Sequence, residues 1–77
     1  MGDVAVIHRN MARALAKTPY ADLPQVRQYR QTARRYAGRA ELTLHEMQLL
    51  RCLAHLAHEA ADWQQACDRK QARLKAR

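Results

Sequence analysis

The sequence contains no phenylalanine, one tryptophan and three tyrosines, so large aromatic side chains are scarce. Fifteen of its 77 residues are alanine, which fills little core volume. A chain of this length is one domain, near the lower limit for a self-sufficient core. Domains in that position often gain stability by oligomerising or by binding a partner.

Long apolar runs are also missing, and the absence of 18 consecutive apolar residues predicts no membrane span. The N-terminus has no basic segment followed by an apolar one, so no signal peptide is expected. Cys52 and Cys67 lie 15 positions apart on one predicted helix. Such positions are roughly 22 Å apart, which excludes an intrachain disulfide. We therefore expect a cytoplasmic protein with no membrane partner.

Glycine and proline occur twice each. Because these helix-breaking residues are so few, long helices are possible. The pattern predicts an all-α protein with one domain over 1–77 and helices at about 4–17, 23–40 and 44–74. Asp3 is in position to cap the first helix, and Thr18-Pro19 is expected to end it. The apolar stripe of this helix is Val4, Ile7, Met11 and Leu15. The opposite face is basic and carries Arg9, Arg13 and Lys17.

The second helix is predicted to begin after Asp22 as cap, with Pro24 in its first turn. Gly38 weakens its last turn, and the alternative is a break near Ala37. The apolar face of this helix consists of Val26, Tyr29, Ala33, Tyr36, Ala37 and Ala40.

The third helix has the clearest start signal, because Thr43 and Glu46 are spaced as a capping box. No glycine or proline follows them. Seven-residue spacing of apolar side chains on one face is typical of a helix-to-helix seam. The predicted seam, which is also the predicted interface, consists of Leu49, Leu53, Leu56, Ala60, Trp63, Cys67 and Leu74.

The predicted lengths leave much of the third helix uncovered. Helix three would be roughly 47 Å long and helix two roughly 27 Å. A short turn makes them an antiparallel hairpin in which helix two covers only the first half of helix three. The remaining apolar stripe must meet a second chain, helix one or a foreign partner. Homodimerisation is the favoured arrangement, and the alternative is a monomeric bundle with a frayed C-terminus.

The net charge of +7 is divided into blocks. Residues 22–39 sum to +4 and residues 69–77 to +5, whereas residues 40–68 sum to −4. Arginine forks suit phosphate groups, so the basic blocks predict contact with a nucleic-acid backbone. The alternatives are a solvated outer face for the helix and favourable interaction with the helix dipole for the tail. The predicted phosphate contacts are Arg27, Arg30, Arg34, Arg35 and Arg39, supported in the tail by Arg69, Lys70 and Arg73.

Two further patterns bear on nucleic acid. Tyr29 and Tyr36 could stack on bases, but they share the predicted core face, which favours burial. The segment 42–50 resembles the opening helix of some winged-helix and response-regulator DNA-binding domains. The resemblance covers about ten residues and no wing follows, so a helix-turn-helix is kept only as an alternative.

The sequence offers little for metal binding or catalysis. Cys52, His55 and Glu59 share a helix face, but there is no second ligand cluster and no Cys-x-x-Cys pair. No glycine-rich phosphate loop and no third group to orient a Cys–His pair occur. We therefore expect no enzyme activity, no metal, no cofactor and no small-molecule substrate.

Two functions are compatible with these observations. In the first, this is a small basic regulatory protein that binds nucleic acid through the Arg-rich helix and the basic tail. In the second, it is an adaptor or inhibitor, of a kind that a phage or mobile element could encode. It would dock on a larger acidic protein through the apolar stripe of the long helix.

Overall fold

The computed structural model describes residues 3–76, with the side chain of Asp3 outside the described part. Three helices account for most of it: α1 (Asp3–Ala16), α2 (Pro24–Tyr36) and α3 (Leu44–Lys75). No strand occurs in this range. The prediction of an all-α, three-helix protein is confirmed. The predicted Asp3 cap concerns a side chain outside the described residues.

The start of α3 follows the capping-box prediction in detail. The Thr43 hydroxyl accepts a hydrogen bond from the Glu46 backbone N–H at 3.1 Å, and the Glu46 carboxylate accepts one from the Thr43 N–H at 2.9 Å. The hydrogen bond from the Thr43 backbone N–H is the main cause of a lowered pKa at the Glu46 carboxyl, and the Thr43 hydroxyl contributes as well. Arg39 from the preceding loop also pairs with this carboxylate. The box therefore fixes where the long helix begins.

The second helix differs from its prediction at both ends. Its N-cap is Leu23, which makes no side-chain capping bond, so the prediction that Asp22 caps it is wrong. Pro24 takes the first helical position, where its missing N–H costs no hydrogen bond. The helix ends at Tyr36, close to the alternative break near Ala37 and four residues before the predicted end. Tyr36 and Ala37 are half-buried and Ala40 is exposed, so the core face stops with the helix.

The stripe predicted for α1 is displaced around the helix. Ala5, His8, Ala12 and Leu15 are buried, whereas Ile7 is 54% exposed. Val4 and Met11 are only partly buried, so the predicted stripe is correct only at Leu15. Alanine lets neighbouring helix backbones come closer than isoleucine would, and helix separation depends on the contacting side chains. The buried face is consequently the one with the small residues.

His8 is the one polar residue among the buried side chains of the described range. Its Nδ1 lies 2.7 Å from the hydroxyl of Tyr29, which also donates to the His8 carbonyl at 3.4 Å. The two rings meet edge to face, with centroids 5.8 Å apart. Burial lowers the pKa of His8 and raises the pKa of Tyr29 to about 12. Both groups are therefore neutral at physiological pH, and they join α1 to α2.

The shared core extends along only part of α3. Its residues on α3 are Leu50, Leu53, Ala54, Ala57 and Ala61, and they pack with the buried faces of α1 and α2. Fourteen residues of α3 follow Ala61, or about 21 Å of helix. Tyr20, in the connector between α1 and α2, reaches α3 beside Asp68; burial and the Asp68 carboxylate raise the pKa of Tyr20.

Removing the capping hydroxyl tests the helix start. We expect Thr43→Ala to lower the free energy of unfolding by about 1 kcal/mol, because the Glu46 N–H loses its partner. Urea denaturation followed by circular dichroism measures this. Thr32→Ala is the matched control, since the Thr32 hydroxyl only returns to the Gln28 carbonyl within α2. Its effect should stay within about 0.5 kcal/mol, and equal losses in both variants would contradict the capping role.

The His8–Tyr29 pair predicts a loss of stability in mild acid. Because burial holds the folded-state pKa of His8 below its ordinary value of 6.5, the unfolded chain binds this proton first as pH falls. The contribution is complete above pH 6.5 and is lost as pH falls through the lowered pKa. Urea midpoints measured from about pH 7.5 down to about pH 5.5 should decline in the wild type and in His58→Gln. They should decline much less in His8→Gln, and an equal decline there would refute the assignment.

Candidate nucleic-acid interface

A groove of about 260 Å³ lies between α1 and α2, and arginines form its walls. α1 contributes Arg9 and Arg13 four positions apart, so both lie on one side of the helix. α2 contributes Arg30 and Arg34 with the same spacing. Two predicted phosphate contacts thus lie beside two arginines from another helix. We call this site the arginine groove.

The floor of the arginine groove is made of small residues. Ala12 and Ala33 are buried in the core, and the half-buried Ala16 and Ala37 complete the floor. Because alanine side chains end at Cβ, the floor leaves space between the longer arginine side chains that line the groove. Arginines from two helices could therefore contact one anion from both sides.

The electrostatics of the arginine groove are one-sided. Among the described residues, no carboxylate lines it. The ion pairs in the described range are Arg39–Glu46 and His55–Glu59, so none involves the four groove arginines. One of the four is tethered, since Arg30 Nη1 donates to the Ala21 carbonyl at 3.4 Å. Four neighbouring cations without carboxylate partners favour binding of an external anion.

The other predicted phosphate contacts lie elsewhere. Arg27 and Arg35 are exposed on α2 outside the groove. Arg39 pairs with Glu46, and its guanidinium carbon lies 5.7 Å from the centre of the Tyr36 ring. The tail cations Arg69, Lys70 and Arg73 are exposed near the end of α3. The structure therefore does not gather the predicted set into one site.

Sequence reasoning missed that Arg9 and Arg13 join the site. Their four-residue spacing was visible, but which face of α2 they meet depends on helix packing. Packing also decides whether Tyr29 and Tyr36 are available to stack on bases. Tyr29 is fully buried and cannot stack on a base without unfolding, whereas Tyr36 is half-buried beneath Arg39.

The predicted interface on α3 divides into two parts. Leu53 is buried in the core of its own chain, so it is not available for a second partner. The other large members stay exposed: Leu56 by 50%, Leu74 by 61% and Trp63 by 73%. Leu49 lies at the margin of exposure, and Ala60 and Cys67 are partly covered.

Metal binding finds no support in the described range. No group of three or more His, Cys, Asp or Glu side chains there is placed to hold an ion. Within the candidate set on α3, His55 pairs with Glu59 at 3.1 Å between Nε2 and Oε2. Cys52 and Cys67 are both free thiols.

Across the described residues, no helix combines the length and the apolar character that a membrane span requires. The chain also matches no protein-family model, and no curated protein or solved structure is significantly similar to it.

Proposed function

We propose that this chain is a small non-enzymatic regulatory protein that binds the phosphate backbone of nucleic acid in the arginine groove. The observation that carries the proposal is the convergence of four arginines from two helices on a groove with no lining carboxylate among the described residues. Arginine holds phosphate oxygens through two parallel N–H donors, which gives geometric fit as well as charge. Backbone contacts of this kind position a protein on nucleic acid without reading its sequence.

The surrounding charges support the same function. The sequence of residues 1–39 is strongly basic, and Arg27 and Arg35 extend the positive charge of α2 beyond the groove. The tail adds cations at the far end of α3. A positive potential that extends from α2 to the end of α3 would attract a polyanion and increase its association rate. We assign the arginine groove the central role and the outer cations a supporting one.

The arrangement of helices is part of the proposal. We propose that α2 and α3 form an antiparallel hairpin and that the chain forms a homodimer through α3. In support of the hairpin, Arg39 after α2 contacts Glu46 at the start of α3, whereas Leu23 before α2 lines a groove with Leu56 and Trp63. In support of the dimer, the exposed apolar face of α3 includes Trp63.

A salt titration tests the nucleic-acid function. Labelled duplex DNA and single-stranded RNA are titrated at several salt concentrations, and we expect binding that weakens steeply with salt. The Arg30→Ala/Arg34→Ala variant should reduce the slope of log K against log salt by about 1.8 for duplex DNA, because two phosphate contacts are lost. The matched control is Arg35→Ala/Arg51→Ala, which removes the same charge outside the groove and should keep most of the slope.

Two results would overturn this function. Absence of binding to DNA and RNA at low salt would remove it outright. Equal loss of slope in both double variants would show general charge attraction rather than a groove.

A second candidate function uses the same observation. The alternative is an adaptor or inhibitor that docks on a larger acidic protein through the apolar stripe of α3. A carboxylate-rich segment of such a partner would also fit the four arginines. Competition distinguishes the two: poly-glutamate should displace bound nucleic acid only at high excess if phosphate is the ligand. Tight binding of poly-glutamate together with weak binding of nucleic acid would favour the protein partner.

A further inference from the structure

Two sides of α3 carry apolar residues, and only one of them continues beyond Ala61. Up to that point the buried residues follow one side of the helix, which packs on α1 and α2. Positions that continue this side are polar: Gln64, Asp68 and Gln71. The second apolar side lies about 100° away; it includes Leu56 before Ala61 and continues through Trp63 to Leu74, and all three are exposed. The distal half of α3 thus presents an apolar face that the body of its own chain does not cover.

A groove of about 770 Å³ opens on this face. Leu23 and Gln25 at the start of α2 form one wall, and Leu56, Ala60 and Trp63 lie along α3. Glu59 and Asp62 also line it, so the groove joins an apolar surface to negative charge. An occupant that matches it is a helix with apolar residues between cations.

The end of α3 has this character. Residues 69–77 carry +5, and Leu74 lies between Arg73 and Lys75. We propose that this tail, from a second copy of the chain, occupies the groove, so that two α3 helices pair antiparallel. The inference rests on the homodimer proposed above and deepens it, and it does not depend on nucleic-acid binding.

Seven-residue spacing gives the register. An antiparallel pair centred near residue 65 places Leu56 against Leu74 of the partner subunit and Trp63 against Cys67 of the partner subunit. Glu59 and Arg73 are two heptads apart and lie on the same flank of α3. In this register each Glu59 meets Arg73 of the partner subunit, and symmetry makes the contact twice.

The charges disfavour the parallel alternative. Parallel helices would bring the two tails of +5 side by side, and like charges in contact repel. Glu59 would then face the flank that carries Gln64, with no cation to meet. The antiparallel pair instead sets each basic tail along residues 55–62 of the other chain.

A charge-exchange cycle tests the arrangement. Sedimentation equilibrium of the full chain at micromolar concentrations gives the dimer dissociation constant. Glu59→Arg and Arg73→Glu should each weaken the dimer about tenfold, because each turns two attractive contacts into repulsive ones. The Glu59→Arg/Arg73→Glu double variant should return to within about threefold of the wild type. Glu41→Arg, with the same charge change outside α3, should leave the constant unchanged.

The lone tryptophan supplies a second readout. Trp63 is exposed in the single chain and covered in the proposed pair, so its emission should shift to longer wavelength on dilution. The shift should follow the sedimentation midpoint and occur at higher concentration in Glu59→Arg. Circular dichroism tests whether each variant is folded. We expect the helical spectrum to be unchanged, because the side chains of Glu59 and Arg73 are both exposed.

Cross-linking decides the direction of the helices. In chains with Cys52→Ala and Cys67→Ala, a mixture of Leu56→Cys and Leu74→Cys should form disulfides between the two variants. Neither variant alone should form disulfides, because like positions are roughly 27 Å apart in the antiparallel pair.

Three results would each overturn the proposal. The wild type could stay monomeric in sedimentation, the double variant could fail to recover the dimer, or Leu56→Cys or Leu74→Cys alone could form disulfides. Nucleic-acid titration of Glu59→Arg separates the two proposals, since failure of the dimer leaves the arginine groove intact.

Discussion

The difference in length between α3 and the two helices that cover it is the constraint on which the rest of the structure depends. α1 and α2 have 14 and 13 residues, against 32 in α3. A helix rises 1.5 Å per residue, so α2 spans about 20 Å and α3 about 48 Å. The buried residues of α3 lie between Leu50 and Ala61, and no described residue beyond Ala61 is fully buried. Beyond Ala61 the large apolar residues of α3 lie only on the second, exposed side of the helix, at Trp63 and Leu74.

Small side chains make a core possible under this constraint. Among the described residues, six of the twelve buried ones are alanines, and the largest fully buried side chain is Tyr29. Such a core contributes modest stabilisation per residue, so specific polar contacts make up a larger share of the folding free energy. The Thr43 capping box fixes the start of α3, and the His8–Tyr29 hydrogen bond fixes the contact between α1 and α2. The same close approach of α1 and α2 brings their arginines to the two sides of one groove.

Local signals in the sequence predicted what depends on local chemistry. The three helices and the capping box follow from breakers, caps and spacing, all within a few residues. The buried face of α1 and the residues of the arginine groove depend instead on how the helices pack. Ile7 looks like a core residue by its size, yet the closer approach allowed by Ala5 and Ala12 places the core on their side. Likewise, no spacing rule indicates that Arg9 and Arg13 face Arg30 and Arg34, because this depends on the rotation of α1 about its axis.

The two proposed surfaces make different demands on the cations of the tail. In the antiparallel pair, Arg73 is committed to Glu59 of the partner subunit, and Lys70 lies close to the seam. Arg69 projects from the opposite side of α3 and stays free for phosphate, by the 100° rotation per residue of a helix. The arginine groove is on the body of the protein, away from this seam. A dimer would therefore neutralise part of each tail while leaving two arginine grooves exposed. Binding of nucleic acid to the grooves would then gain from two linked sites rather than from the whole positive charge of the chain.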